Sequence, residues 1–460
     1  MKKHVLLISV FLVMIAALLT PFFGRYVRGV PPVYDNEPYY HLRMANTLRT
    51  TGIPQVDPLL VVPTRYILQF YDIILSTMFL FVNPLYCSIL FPVLLGILCF
   101  IIFSLMLKDM DIPLMHRVFC LLILSISPPF IVAFTRSSPN AFAIFLNLLG
   151  AFLITRKDKH MKLLSILLFS LLPLFGLVHF VIAVAFILFA CKHDSKFDFL
   201  ILLGVLLISF PIILIARPQL HFALSPLDSY FSDLGGLFGI GVWNALLSIV
   251  GLAFVWSKKR FLTRFYIFSG IIFIIAIMNQ SAMTYLMFVL SIISSFGIIG
   301  LFTMRWQLKQ VRFLMLLLVS CGLLFSTVSY LNLVVNYGPT KELVESLQWL
   351  RNEPASAVFT HPSRGFWVQA FANKPVLSDG VHDSLQVKND TSTLLYSRNL
   401  VLTKNLLHKY NISHIIVDSE MSNGIVWDVP DEGLMFLLGN NETFKRVYSK
   451  SGVLVWQVIS

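Results

Sequence analysis

Ten consecutive residues gather many of the side chains able to do chemistry: Tyr34-Asp-Asn-Glu-Pro-Tyr-Tyr-His-Leu-Arg43. Asp35 and Glu37 carry carboxylates that can take or orient a proton. His41 changes charge near neutral pH. Arg43, with Arg49 further along, has the fork that grips a phosphate. Tyr39 and Tyr40 suit a boundary between water and an apolar medium. One stretch therefore offers a grip on phosphate and a carboxylate for an acceptor hydroxyl or amide. Pro38 is placed for the first turn of a helix running through Arg49, with Asp35, Asn36 or Glu37 as its cap. A carboxylate there also offsets the helix dipole by about 0.3–1 kcal/mol, so capping alone accounts for one acid but not for the set.

The rest of the chain must position this stretch. Of the 460 residues, 57% are hydrophobic and 13% charged, and mean hydropathy is +0.80. Soluble domains carry about 25% charged residues, so the chain is an integral membrane protein. Its net charge of +12 is not a nucleic-acid footprint. The Lys and Arg sit mainly in short connections between apolar runs, with no basic groove interleaved with aromatics. The 41 Phe need no cofactor, because lipid-facing and interhelical packing accounts for them. The five cysteines, Cys87, Cys99, Cys120, Cys191 and Cys321, all fall in apolar runs and suit small buried positions rather than disulfides or zinc.

Lys2 and Lys3 followed by His4–Phe23 read as an uncleaved first span with a cytoplasmic N-terminus. A polar loop to about Arg65 holds the opening stretch. Tyr66–Val82 is apolar but contains Asp72. Further spans are expected at Pro84–Leu107, Val118–Thr135, Ala141–Thr155, Leu163–Gly176, Leu177–Cys191, Phe199–Ala216, Phe238–Ser257, Phe265–Met278, Ala282–Phe302 and Phe313–Asn336. If Tyr66–Val82 does not cross, the connections Lys108–Arg117, Arg156–Lys162, Lys192–Lys196, Lys258–Arg264 and Arg305–Arg312 all fall on the cytoplasmic side. Each holds at least two basic residues, whereas the opposite ones hold Arg136, Arg217 and little else. The positive-inside rule favours that choice. It makes Tyr66–Val82 interfacial or re-entrant, gives about eleven spans, and puts the C-terminus outside.

From Tyr337 the composition becomes that of a globular domain. Leu343, Leu347 and Leu350 have helical spacing over Lys341–Leu350, and Leu395–Tyr410 also reads as helical. Ala357–Thr360, Ile415–Val417 and Val453–Val458 read as strands. An α/β domain over 337–460 is expected, large enough to fold alone. Asn389-Asp-Thr391, Asn411-Ile-Ser413 and Asn441-Glu-Thr443 are sequons on it.

Glu37-Pro-Tyr-Tyr-His-Leu-Arg43 resembles the Asp-Pro-aromatic-aromatic-x-x-Arg motif in the first external loop of oligosaccharyltransferase catalytic subunits. Those enzymes are GT-C glycosyltransferases that use polyprenyl- or dolichyl-phosphate-linked donors. Ser232-Asp-Leu-Gly-Gly236 resembles a later external-loop motif centred on Glu, and Trp349-Leu-Arg-Asn352 to Asp379-Gly380 resembles the start of the family's C-terminal domain. The resemblance puts Glu37 at the family's catalytic, metal-binding acid, with Asp35 as its rival. It puts Arg43 at the donor phosphate with His41 and Tyr40 beside it, and Asp233 on the acceptor side. There are departures. Where the family has a second acidic metal motif, this chain reads Arg136-Ser-Ser-Pro-Asn140. A divalent cation, Mg or Mn, wants two or more carboxylates or phosphates and here has Glu37 as its one ligand. The family's Trp-Trp-Asp-Tyr-Gly acceptor motif is replaced by His361-Pro-Ser-Arg-Gly365, with Phe366 and Trp367 beyond, so His361, Arg364, Gly365 and Trp367 are the acceptor-side candidates.

The reading is a polytopic α-helical GT-C-like membrane domain over 1–336 with an external active-site loop at 24–83, followed by an external α/β domain over 337–460. Such a protein in the plasma membrane would pass a sugar from a lipid-linked donor to a protein, lipid or glycan acceptor outside. The alternative is a non-catalytic scaffold or lipid-binding subunit that kept the fold. A secondary transporter is disfavoured, because no paired broken spans are visible. Among weaker candidates, His179 lies near a span end, where an ionisable residue is a functional suspect, though a hydrogen bond between helices serves as well. Asp57 precedes a proline and shapes a turn. Asp228 and His221 share a loop with Asp233, and solvation explains them.

Overall fold

The structure is a computed structural model that describes residues 2–66, 68–190, 196–216, 224, 226–256, 259–429 and 431–459. Cys191, Arg217, His221 and the basic residues Lys192 and Lys258 lie outside the described residues.

Helices dominate. In chain order they are α1 Lys2–Val27, α2 Glu37–Thr51, α3 Phe70–Met78, α4 Pro84–Asp109, α5 Leu114–Ser125, α6 Pro128–Thr135, α7 Pro139–Ile154 and α8 Lys159–Leu171. Then come α9 Leu177–Ala190, α10 Lys196–Ala216, α11 Val242–Trp256, α12 Lys259–Met278, α13 Met283–Thr303, α14 Lys309–Asn336 and α15 Lys341–Asn352. After strand β1, Ala357–Phe359, follow the short turn α16 Gly365–Trp367, α17 Leu385–Tyr396 and α18 Leu400–Lys409. Strand β2 Ile412–Val417, α19 Gly433–Leu437, β3 Phe444–Lys450 and β4 Val453–Val458 complete the chain.

Contacts divide the chain into two compact units. One comprises residues 1–25, 69–71 and 85–336; the other comprises 26–68, 72–84 and 337–460. In the first unit, each apolar segment read from the sequence contains helix. Among the described residues, four helices are long and apolar enough to cross a membrane, or five if α5 and α6 are one bent span. The segment Val118–Thr135 is therefore not one straight helix. It breaks at Ile126-Ser127 with a bend of 60°, because Pro128 and Pro129 lack the N–H groups that a continuing helix needs. The break frees backbone carbonyls in an apolar interior, where they need donors. Thr327 Oγ1 donates to the Ile126 carbonyl at 3.1 Å and Thr284 Oγ1 to that of Pro129 at 3.0 Å.

Small residues let α11 and α13 approach closely. A Cβ added to Gly251 would lie 2.0 Å from the Ile293 carbonyl oxygen, and one on Gly297 would lie 2.6 Å from that of Leu247. Ser248 and Ser294 join across the same seam at 2.7 Å. This is packing by small residues and hydroxyls, as expected where lipid removes the hydrophobic drive between helices.

In the second unit the sheet order is β1-β2-β4-β3, with β1 parallel to β2 and the other pairs antiparallel. Phe359, Leu394, Leu407, Ile415, Trp427, Leu434 and Phe444 belong to its buried core. The helix read over Leu395–Tyr410 is two helices broken between Tyr396 and Leu400, where Asn399 caps α18 by accepting from the Leu402 N–H. Residues 57–61 of the N-terminal loop pair with this domain: the Val61 N–H donates to the Val376 carbonyl and the Val376 N–H to that of Leu59, both at 3.0 Å.

Candidate functional site

The Tyr34–Arg43 stretch lies wholly in the second unit. Helix α2 starts at Glu37 with Pro38 in its first turn, as the sequence predicts, but the side chain of its N-cap residue, Asn36, makes no capping bond. Asp35 instead sits in the left-handed region at φ 67°, which a residue other than glycine adopts only when its surroundings hold it there. They do: its Oδ1 accepts from the Asn36 N–H at 2.7 Å, and Trp367 Nε1 donates to its carbonyl at 3.0 Å. Trp367 and the neighbouring Ser363, whose carbonyl faces Asn36 Nδ2 at 3.4 Å, thus fix the corner that aims Glu37.

Glu37 is 29% exposed and its Oε1 lies 3.5 Å from His41 Nε2, one turn along α2. The other ring nitrogen, His41 Nδ1, lies 2.7 Å from Asp72 Oδ1, and Tyr66 donates to Asp72 Oδ2 at 2.9 Å. His41 is 2% exposed and Asp72 is fully buried. Burial alone would pull the imidazole down. The Asp72 charge and hydrogen bond, then those of Glu37, outweigh it and raise His41 to about 9. A buried line Tyr66–Asp72–His41 therefore ends on Glu37 as an imidazolium. Tyr40 packs its ring on His41, Phe366 and His382. Burial and the Asp72 carboxylate push its phenol well up, so it stays neutral.

Arg43, expected at a phosphate, is held here by side chains. Nη1 and Nη2 both donate to Asp57, at 2.8 and 2.5 Å, and Nη2 also donates to Gln369 Oε1 at 3.0 Å. Asp57, which the sequence presents as a turn residue, is a bidentate partner that takes up the fork. Arg49 ties α2 to the end of α3 by donating to the Phe79 carbonyl at 3.1 Å.

The acceptor-side residues of the C-terminal domain serve mainly its own architecture. His361 caps a short turn through Ser363, and burial with the nearby Arg364 charge holds its imidazole below the ordinary range. Arg364 pairs with Asp418 at 2.8 Å and with Glu420; those carboxylates outweigh burial and raise it further. Gly365 is required by packing, since a Cβ there would lie 2.6 Å from the Ser378 carbonyl oxygen and 2.7 Å from Asp379 Cα.

Three comparisons place this architecture. No family model matches the sequence, and no curated protein matches it either. Solved structures do. An archaeal oligosaccharyltransferase, AglB from Archaeoglobus fulgidus in complex with an inhibitory peptide and a dolichol-phosphate, matches over 99% of this chain and 74% of its own, at TM-score 0.66 and 14% identity. The chain has the GT-C fold. ArnT from Cupriavidus metallidurans matches over 97% of both chains at TM-score 0.57 and 11% identity. The mycobacterial arabinofuranosyltransferase AftD matches over 97% of this chain and 41% of its own, at TM-score 0.55 and 14% identity. The Archaeoglobus enzyme is also known in complex with Zn and sulfate, at TM-score 0.63 and 15% identity over 98% of this chain and 72% of that one. At these identities the likeness is one of fold, an oligosaccharyltransferase-like GT-C membrane architecture with a C-terminal domain.

The other candidates lie in the first unit of the GT-C fold. Asp233 Oδ2 accepts from the Val242 N–H at 2.5 Å, at the start of α11, so its carboxylate serves a helix N-terminus. Asn140, at the end of the Arg136–Asn140 stretch, places Oδ1 3.0 Å from His179 Nε2. His179 Nδ1 lies 2.9 Å from the Tyr285 hydroxyl, and Asn147 donates to the His179 carbonyl at 2.9 Å. His179 thus joins helices by hydrogen bonds. Among the described residues no three His, Cys, Asp or Glu side chains gather as metal ligands. Glu37 has the His41 ring nitrogen 3.5 Å from its carboxylate.

Sequence reasoning gave no role in this cluster to Asp57, Asp72, Tyr66, Gln369 or His382. Asp72 signalled itself as an acid in an apolar run and Asp57 as an acid in the motif's loop. Tyr66 and His382 carried no such mark.

Proposed function

We propose that this chain transfers a sugar or oligosaccharide from a polyprenyl- or dolichyl-phosphate-linked donor to a protein, lipid or glycan acceptor at the outer face of the plasma membrane. The observation that carries the reading is the buried Tyr66–Asp72–His41 line ending on half-exposed Glu37, within the motif that resembles the first-loop motif of GT-C enzymes. Glu37 presents its carboxylate to the acceptor, to take its proton or orient it, and Asp35 shapes the corner before it. The leaving phosphate meets the positive field of Arg43 rather than its fork, since Asp57 already occupies that. His361, Arg364, Gly365 and Trp367 serve the acceptor side in the second unit, and Asp233 is the acceptor-side candidate of the first. No step is routed through Mg or Mn. Dolichol-phosphate in a complex of the Archaeoglobus neighbour supports a lipid-linked donor.

In this reading residues 1–336 form the membrane domain, with the loop 24–83 outside, and 337–460 form the external α/β domain. About eleven spans and a cytoplasmic N-terminus follow. Two contacts support the alternation. Arg156 pairs with Asp109 at 2.8 Å, joining two connections expected on the cytoplasmic side. Arg136 stacks over Phe238 at 5.2 Å, joining two expected outside.

The test is transfer from labelled polyprenyl-phosphate sugars in membranes bearing the wild type, Glu37→Gln or Asp35→Asn. Glu37→Gln is expected to lose about 10²–10⁴-fold, and Asp35→Asn less. Full transfer by both variants overturns the assignment. A second reading, a non-catalytic GT-C scaffold or lipid-binding subunit, draws on Asn140 in place of the second acid and on the closure of Arg43 by Asp57. It predicts no transfer from any such donor but retention of the labelled lipid.

A further inference from the structure

Beside Tyr40 lies a second histidine–aspartate pair that the first-loop motif does not contain. His382 packs its ring on Tyr40, with centroids 4.8 Å apart, and edge-on to Phe366 at 6.2 Å. Its Nδ1 lies 2.7 Å from Asp379 Oδ2, and Asp379 is fully buried. The Asp379 Oδ1 accepts from the N–H groups of Val381 and His382 at 2.9 and 2.8 Å. That oxygen alone would close the turn, so the bond from Oδ2 to the imidazole is an extra one that sets the ring's orientation. The imidazole and these two N–H groups outweigh burial and keep Asp379 below the usual carboxylate range. Gly380, at φ 80°, supplies the left-handed corner, and Asp383 locks it by accepting from Ser378 Oγ at 2.5 Å and the Gly380 N–H at 3.1 Å. Gly365 packs on Ser378 and Asp379 from the other side. A pair held this firmly presents one remaining atom, Nε2, which has no hydrogen-bond partner among the described residues.

Exposure separates the tips of the cluster from its supports. His41 and Asp72 are 2% and 0% exposed and Asp379 is fully buried, whereas Glu37 and His382 keep 29% and 27%. Glu37 and His382 are thus the partly exposed, chemically able members of this cluster. They differ in what they can do. Glu37 already has the His41 ring nitrogen 3.5 Å from its carboxylate, whereas His382 presents a ring nitrogen backed by a carboxylate, the arrangement that lets an imidazole accept a proton and holds the cation formed.

We propose that His382, oriented by Asp379, is the base that receives the proton of a hydroxyl acceptor, leaving Glu37 to orient that hydroxyl. This rests on the glycosyl-transfer reading. The acceptor oxygen forms a bond to the anomeric carbon of the donor while the bond from that carbon to the phosphate oxygen breaks. The acceptor proton passes to His382 Nε2, and the electron pair of the broken bond leaves with the polyprenyl phosphate. The acceptor class is then an alcohol, on a serine, threonine, sugar or lipid, rather than a carboxamide nitrogen, whose lone pair is delocalised and which a neutral imidazole does not deprotonate.

The test uses the full chain in membranes with a labelled polyprenyl-phosphate sugar. His382→Ala is expected to lower transfer about 100-fold, and added imidazole to restore at least about a tenth of the rate by filling the vacated space, as a general base does and a folding defect does not. His382→Gln, which keeps a donor for Asp379, is expected to be as slow as His382→Ala while unfolding at the wild-type temperature. Asp379→Asn is expected to fall about 10-fold, and imidazole does not restore Glu37→Gln. Full activity in His382→Gln, no rescue of His382→Ala, or label recovered on a carboxamide nitrogen overturns this inference and leaves glycosyl transfer standing. A wild type that moves no label removes both.

Discussion

At the scale of single residues, the pairing of His41 with Asp72 makes stability depend on pH in a stated direction. The folded imidazole sits at about 9, above its ordinary value near 6.5, so the native state binds this proton more tightly than the unfolded chain does. Its contribution is complete below about pH 6.5 and is lost as pH rises through about 9. Thermal unfolding of the purified protein is expected to move to lower temperature between pH 6.5 and 9.5, and His41→Gln to flatten that slope. Asp72→Ala removes the charge that keeps the proton on His41, so the buried imidazole turns neutral and the unfolding temperature at about pH 6.5 is expected to fall; an unchanged temperature in that variant would show that the pair holds nothing. Among the described residues no three His, Cys, Asp or Glu side chains gather as metal ligands, and transfer is expected to survive dialysis against EDTA at an unchanged rate. A loss reversed by Mn or Mg would mean that donors outside the motif complete a metal site.

At the scale of elements, the seam between α11 and α13 is set by what is absent from Gly251 and Gly297. Gly251→Leu is expected to force the helices apart and cost about 1–3 kcal/mol or more. Gly270→Leu on α12, where an added Cβ would meet nothing within 4 Å, is expected to be neutral. Equal unfolding temperatures for the two would remove the small-residue account of the seam. Elements are also where the sequence was most legible. Apolar runs mark the helices because a chain in lipid must satisfy its own backbone polar groups. The breaks were harder to see. Ser127-Pro128-Pro129 carries the helix-stopping signal, yet the apolar run continues through it and hides the bend. Strand β3, Phe444–Lys450, has mostly exposed side chains, so it lacks the apolar pattern that exposes its neighbours. The site was legible only as a motif. Glu37, His41 and Arg43 could be picked out by type and spacing. Their partners Asp57, Asp72 and Gln369 come from up to hundreds of residues away, and no local pattern announces a tertiary contact. That is why Arg43 read as a phosphate ligand before Asp57 was seen to hold it.

At the scale of the whole molecule, orientation follows from whether one segment crosses. A bilayer core is about 30 Å thick and a helix rises about 1.5 Å per residue. Helix α3, with nine residues, reaches about 14 Å by that rise, too little to cross alone. If Tyr66–Val82 turns back, the basic connections face the cytoplasm and residues 337–460 face outward; if it crosses, every later connection changes side. Labelling with a membrane-impermeant maleimide distinguishes the two. In a chain whose Cys191 and Cys321 are replaced by Ala, with Cys87, Cys99 and Cys120 buried, Lys157→Cys and Lys388→Cys offer exposed thiols in the two regions. The thiol at 388 is expected to react in intact cells, and the one at 157 only after permeabilisation. The reverse pattern would put the basic clusters outside, against the charge rule, and the Glu37 loop, which pairs with residues 337–460, inside with position 388. Because the proposed acceptor side rests on Glu37 and His382 being open to the same compartment as position 388, this experiment also decides on which side of the membrane an acceptor must be supplied.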